Sequence, residues 1–117
     1  MAVIALTKLD DGPDWKVYQW TPLTEADTCA AIKLDRVATD IMMQVSGTFG
    51  SASVALHGSL DGTNYAALAD LDGGTIAVTS AGLTSARDAP LWLKPVASGG
   101  SSQSLTINVL VRTIAPR

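Results

Sequence analysis

One cysteine and one histidine are all that 117 residues offer to thiol or imidazole chemistry. Cys29 has no second thiol in the chain, so an internal disulfide is excluded. Two such ligands are also too few for a zinc site built from several His and Cys side chains. Charge is scarce as well: Asp, Glu, Lys and Arg make up 16% of the chain, against roughly 25% in an average soluble domain. The eight basic residues are scattered, no two adjacent, in a chain of net charge −3. Nucleic-acid binding wants clustered Lys and Arg, so no direct nucleic-acid contact is expected. No segment approaches the roughly 18 apolar residues of a membrane helix, and no basic leader precedes the apolar Val3–Leu6. The sequence therefore predicts no membrane span and no signal peptide, and synthesis in a cytoplasm.

What is present suits strands and turns. Apolar residues reach 47%, enough for one core in a single domain of ordinary size. Ala, Ser, Thr and Gly take the place of charge, which fits a surface partly covered by partners. Met1–Leu9 reads as a first strand or an arm, and DDGPD, Asp10 to Asp14, as a turn. We divide the chain into an N-terminal arm or edge strand, residues 1–14, and a single β-sandwich domain, residues 15–117. In Trp15–Pro22, alternation puts Lys16, Tyr18 and Trp20 on one face and Trp15, Val17 and Gln19 on the other. Cys29–Leu34 is a short apolar strand.

From Ile41 to Ala69 the pattern predicts a meander of about three strands, with glycines at its corners and Asp61-Gly62 as the strongest turn signal. Phe49 reads as a plug at one end of the sandwich. Thr75–Thr79 alternates cleanly, whereas Ser80–Asp88 reads as a loop or one helical turn. Pro90–Val96 holds two prolines and is expected at a sheet edge. Leu105, Ile107, Val109 and Val111 alternate with Thr106, Asn108, Leu110 and Arg112 in the clearest half-buried strand, and the tail Ala115–Arg117 is expected to fray. The fold class is all-β: an antiparallel β-sandwich, jelly-roll-like, with about eight short strands. Strand order, jelly roll or immunoglobulin-like, stays open.

Chemistry is thin. Cys29 and His57 are the one conceivable nucleophile–base pair, but neither sits in a recognisable elbow, and His57 reads as a polar strand residue. Asp70-x-Asp72-Gly73 echoes the start of a calcium loop, yet its twelfth position is Ala81, where a Glu is wanted. No catalytic residue, metal or cofactor is expected. The three tryptophans remain, as core, as interface or as a sugar-stacking platform.

Several phrases, WTPLTEADT (Trp20–Thr28), QVSGTFGSASVALHGSLDGTNYAAL (Gln44–Leu68), TSAGL (Thr79–Leu83) and PLWLKPVASGG (Pro90–Gly100), together with the last hydrophobic strand, resemble a family of small virion proteins of tailed bacteriophages. The resemblance spans about residues 20–112. Tyr65 departs from it, since Trp often stands at that place. It implies a capsid decoration, or cement, protein: a β-sandwich on the outer surface of the head that bridges major capsid protein subunits as a homodimer or homotrimer. It brings no catalytic residues. The expected contact residues are Val3, Ile4 and Leu6 of the arm, Trp15, Tyr18 and Trp20 of the aromatic strand, and Trp92. A carbohydrate-binding module, or a tail or baseplate sandwich, is the alternative. The sugar reading requires at least two of Trp15, Tyr18, Trp20, Tyr65 and Trp92 exposed on one face.

Overall fold

A computed structural model describes residues 3–12, 15–24, 27–34, 38–88 and 90–113. These form eleven strands: β1 (Val3–Ile4), β2 (Thr7–Asp11), β3 (Trp15–Leu23), β4 (Thr28–Cys29), β5 (Ile32–Lys33), β6 (Ala38–Thr48), β7 (Ala52–Ser59), β8 (Ala66–Ala67), β9 (Gly82–Ala86), β10 (Trp92–Gly99) and β11 (Ser104–Thr113). One sheet runs β2-β3-β11-β6-β9, a second β5-β10-β7-β8, and β1 pairs with β4.

Strand pairing resolves the order left open by the sequence. Of β3, β5, β6, β7, β8, β9, β10 and β11, the first pairs with the last (β3 with β11) and the second with the seventh (β5 with β10). The third pairs with the sixth (β6 with β9), and the two middle strands pair with each other (β7 with β8). Every one of these pairs is antiparallel. A ribbon nested in this way and wrapped into two sheets is a jelly roll.

Period-two alternation builds the core between the sheets. Ile41, Met43 and Val45 of β6, Val54 and Leu56 of β7, and Leu105, Ile107, Val109 and Val111 of β11 are all buried. Tyr18, Trp20 and Leu23 join them from β3, and Leu93 from β10. Burying each large apolar side chain contributes about 1.5–3 kcal/mol, so this interior is the main stabilising term. Trp20, fully buried, donates its indole N–H to the Ala30 carbonyl at 2.9 Å, and Ala30 N–H donates to the Ile4 carbonyl at 2.9 Å. Phe49 packs partly buried against the core in the turn between β6 and β7.

Several local expectations are corrected. Residues 41–69 do not form one meander, because β6 and β7 lie in different sheets and the turn at Phe49–Ala52 crosses between them. Gly47 carries β6 past β11 with φ +108°, and any side chain there would run into the Ser104 carbonyl. Cys29–Leu34 is not one strand: β4 pairs with β1 and β5 with β10. Thr75–Thr79 makes only isolated bridges at Thr75 and Val78, whereas the expected loop at Ser80–Asp88 contains β9. β10 is an edge only beyond Leu93, since β5 flanks Trp92 and Leu93.

The N-terminal stretch is not a free arm. Val3–Ile4 runs parallel to Thr28–Cys29, Ile4 and Leu6 pack on the core, and Thr7–Asp11 pairs with β3. Asp10 and Asp11 accordingly lie in a strand rather than a turn. Met1, Ala2, Pro13, Asp14 and the tail Ala115–Arg117 lie outside the described residues.

Candidate functional site

The outward face of the five-stranded sheet carries the candidate site. An antiparallel sheet with one buried face normally turns polar side chains to water on the other. Here the strand register assembles an apolar row. Leu110 of β11 stands opposite Val17 of β3 on one side and Met42 of β6 on the other. Met42 in turn faces Ser85 of β9. All three apolar side chains are half-buried. Trp15, 40% exposed, extends the patch at its corner, opposite Arg112, which faces Asp40. A shallow depression of about 150 Å³, lined by Met42, Leu71, Ser85 and Leu110 among others, opens beside the row.

A polar ladder borders it. Gln19 Nε2 donates to Asn108 Oδ1 at 3.0 Å, and Asn108 Nδ2 donates to Gln44 Oε1 at 3.3 Å. The hydroxyls of Thr21 and Thr106 meet at 2.8 Å one step further. The amides are tied to one another across three strands, so this part of the face is held in one geometry. An apolar strip with a fixed polar border suits a protein partner, since interface cores are depleted in charge and rimmed by polar groups.

The residues expected at an interface are dispersed. Trp15 is on this face. Val3, 70% exposed, lies on β1, while Ile4 and Leu6 are partly buried against the core. Tyr18 and Trp20 are core residues, 8% and 0% exposed, and are corrected from contact residues to packing residues. Their strand face turns inward because it meets Ile107 and Val109 across β11. Trp92 is on the opposite side of the molecule, on the outer face of the four-stranded sheet. Val17, Met42 and Leu110 were not anticipated. Their signal was available: Ile41-Met42-Met43 and Val109-Leu110-Val111 break strict alternation, making their strands apolar on both faces.

The other outer face is aromatic and basic. Lys33 Nζ lies 5.6 Å from the Trp92 ring centroid, and Lys94 Nζ lies 4.4 Å from that of Tyr65, both within cation–π reach. Gly62, at φ +77°, backs onto the Trp92 ring, where an added Cβ would sit 2.8 Å from it. Tyr65 and Trp92 are thus half-buried and engaged by this chain's own groups, which does not leave an open stacking platform. Lys94 pairs across strands with His57. Partial burial, reinforced by the Lys94 charge, pulls the His57 imidazole below its ordinary pKa.

The turn after β7 is organised by Asp61. Its carboxylate accepts from Thr63 N–H and Asn64 N–H, each at 2.8 Å, from Asn64 Nδ2 at 2.9 Å and from the Ser59 hydroxyl at 2.8 Å. The backbone bonds to Asn64 and Thr63 foremost, then the side-chain bonds, hold this carboxyl well below the usual carboxylate range. Asp70 similarly spends Oδ1 on the N–H groups of Asp72 and Gly74, both at 3.0 Å. Both aspartates serve their own turns.

Burial shifts the Cys29 thiol and the His57 imidazole in opposite directions. Burial pushes the Cys29 thiol up to about 12, while the imidazole is pulled down. A thiolate–imidazolium pair needs the opposite shifts. Among the described residues, no three His, Cys, Asp or Glu side chains gather to hold a metal ion, and no helix is long and apolar enough to cross a membrane.

No protein-family model and no curated protein matches the sequence. Among solved structures, the chain is similar to a cupin domain from Bordetella pertussis Tohama I, at 10% identity and a TM-score of 0.52 over 92% of each chain. A protein from Neisseria meningitidis aligns at 8% identity and a TM-score of 0.40, over 92% of this chain and 82% of its own. At such identity the likeness to the cupin domain is one of fold: this chain is an all-β, jelly-roll-like sandwich.

Proposed function

We propose that this chain is a capsid decoration protein of a tailed bacteriophage, seated on the outer surface of the head and bridging major capsid protein subunits. The observation that carries the reading is the apolar row Val17–Leu110–Met42, cornered by Trp15, on the outward face of the five-stranded sheet. It offers a protein partner a flat, register-held strip, and the sequence resemblance names the partner. The mechanism is mechanical. A standard interface buries about 800 Å² on each side, and a rigid two-sheet body spanning a seam resists its separation under the pressure of packed DNA. Several copies of the contact, held together by an oligomer, add avidity. A net charge of −3 favours the outside of the shell over contact with the genome.

Co-sedimentation tests it. Purified protein is mixed with mature heads that lack it, from the phage whose genome encodes the chain, and bound copies per head are counted. Saturation at a number set by icosahedral symmetry is the expected result. Absence of binding to mature and immature heads would remove the capsid reading. Leu110→Glu, placed in the centre of the row, is expected to abolish binding in the same assay.

A further inference from the structure

We propose that Asp72-Gly73 is a spontaneous modification site, where the exposed turn between β8 and β9 isomerises to isoaspartate while the same dipeptide at Asp61-Gly62 is protected by its hydrogen bonds. Three Asp-Gly pairs occur in the chain, at Asp11, Asp61 and Asp72. Glycine after the aspartate leaves the backbone nitrogen unshielded, because no Cβ blocks its approach.

The chemistry needs only solvent. The Gly73 nitrogen attacks the side-chain carboxyl carbon of Asp72, and a new C–N bond closes a five-membered succinimide. The amide proton and the carboxyl hydroxyl leave together as water. A second water then opens the ring. Cleavage of the bond to the main-chain carbonyl carbon leaves the chain running through the side-chain carbonyl, which is isoaspartate; cleavage of the other bond restores aspartate. No atom is gained or lost overall, and nothing is oxidised or reduced.

The structure separates the three pairs. Asp11 lies in β2 opposite Lys16, and the Gly12 N–H is held by the Trp15 carbonyl at 2.9 Å. At Asp61 both reacting groups are committed. Its carboxylate accepts from Thr63, Asn64 and Ser59, and the Gly62 N–H donates to Ser59 Oγ at 2.9 Å. Those donors favour the ionised carboxyl, the form that resists nucleophilic attack. Gly62 is also half-buried against the Trp92 ring. Asp72 and Gly73, in contrast, are both exposed. Among the described residues nothing donates to the Asp72 carboxyl. The Gly73 N–H makes one turn bond, to the Asp70 carbonyl at 3.1 Å, which can open without disturbing a strand.

Isomerisation would add one carbon to the main chain at 72. The bonds that close this turn all span or touch that position: Asp70 N–H to the Gly74 carbonyl at 2.7 Å, and Asp72 and Gly74 N–H to Asp70 Oδ1, both at 3.0 Å. A longer chain cannot keep them all. The same turn carries Leu71, 69% exposed, which lines the depression beside Met42 and Leu110. Any loss of binding through Leu71 rests on the capsid reading; the modification itself is read on the purified chain and does not.

The test ages folded wild type and Asp72→Glu in mildly acidic buffer, with a sample of wild type in urea alongside. Glutamate keeps the charge but would have to close a six-membered ring. Isoaspartate is counted by methyl transfer from an S-adenosylmethionine-dependent isoaspartyl methyltransferase and placed by peptide fragmentation. The expected result in the folded wild type is isoaspartate that grows at 72 and not at 61, and methyl acceptance is lost in Asp72→Glu. In urea both sites are expected to isomerise at similar rates. Isoaspartate at 61 growing as fast as at 72 in the folded chain, none at 72, or the same disparity in urea overturns the proposal.

Discussion

The Trp20 indole N–H donates to the Ala30 carbonyl 2.9 Å away, inside a core where the Trp20 side chain has no exposure to solvent. Ala30 also donates its own N–H to Ile4. A tryptophan of the first long strand thereby secures the segment that holds the N-terminal strand β1 in place.

Trp20→Phe deletes this bond, leaves the Ala30 carbonyl without its donor and opens a gap. The orphaned carbonyl alone is worth about 1–3 kcal/mol, with the lost volume added to it. Urea denaturation is expected to show a lower midpoint at unchanged slope. Deleting residues 2–12 is expected to destabilise the fold too, since it removes β1, β2 and the packing of Ile4 and Leu6. A truncated protein as stable as the full chain would contradict that docking.

Leu110→Glu acts on the outward face and not on the core. The side chain is half-buried, so the change in stability is expected to stay within about 1 kcal/mol while binding to phage heads is lost. Thermal melting and co-sedimentation of the same preparation separate the two effects. A variant that binds at full strength would take the apolar row out of the contact.

Asp61 is expected to add an acid-sensitive part to the stability. Its carboxyl titrates lower in the folded chain than in the unfolded one, so its stabilisation is fully present above the unfolded value near 3.9 and is lost as pH falls toward the folded value. In Asp61→Asn this part of the pH dependence is expected to vanish. Urea midpoints measured from pH 6 downward for both proteins check it: parallel curves below about pH 4 would mean that Asp61 does not contribute.

His57 is a reporter for the opposite face. Its imidazole titrates below the ordinary value near 6.5, so stability declines as pH falls from there through the folded value. Partial burial is the larger cause and Lys94 the second. Lys94→Met keeps the aliphatic stem and removes the charge. An NMR titration of the His57 ring is then expected to show a rise that stops short of the ordinary value. An unmoved titration would place the cause in burial alone.

Period-two strands were readable, and β11 is the clearest: Leu105, Ile107, Val109 and Val111 declare a buried side without reference to any partner. β9 was not readable, because of Gly, Leu, Thr, Ser and Ala only Thr favours strands; what makes it a strand is pairing with β6. The reverse holds for Thr75–Thr79, whose alternation is clean but which makes only isolated bridges at Thr75 and Val78 and a single backbone bond from Ile76 N–H to the Leu68 carbonyl. Parity grouped Tyr18 with Trp20 and Trp15 with Val17, but parity does not say which group faces inward. The apolar row was harder still. Its residues are far apart in the chain, and only the registers of β3, β6 and β11 bring Val17, Met42 and Leu110 into line.

The middle of the five-stranded sheet belongs to β11, which sits between β3 and β6 yet is the last strand to be synthesised among those described. The strands of the β2–β3 and β6–β9 pairs all precede in sequence the strand that joins the two pairs. Closure of the sheet therefore depends on contacts distant in sequence, a topology that slows folding. A chain cut short before β11 would lose the member on which both halves close.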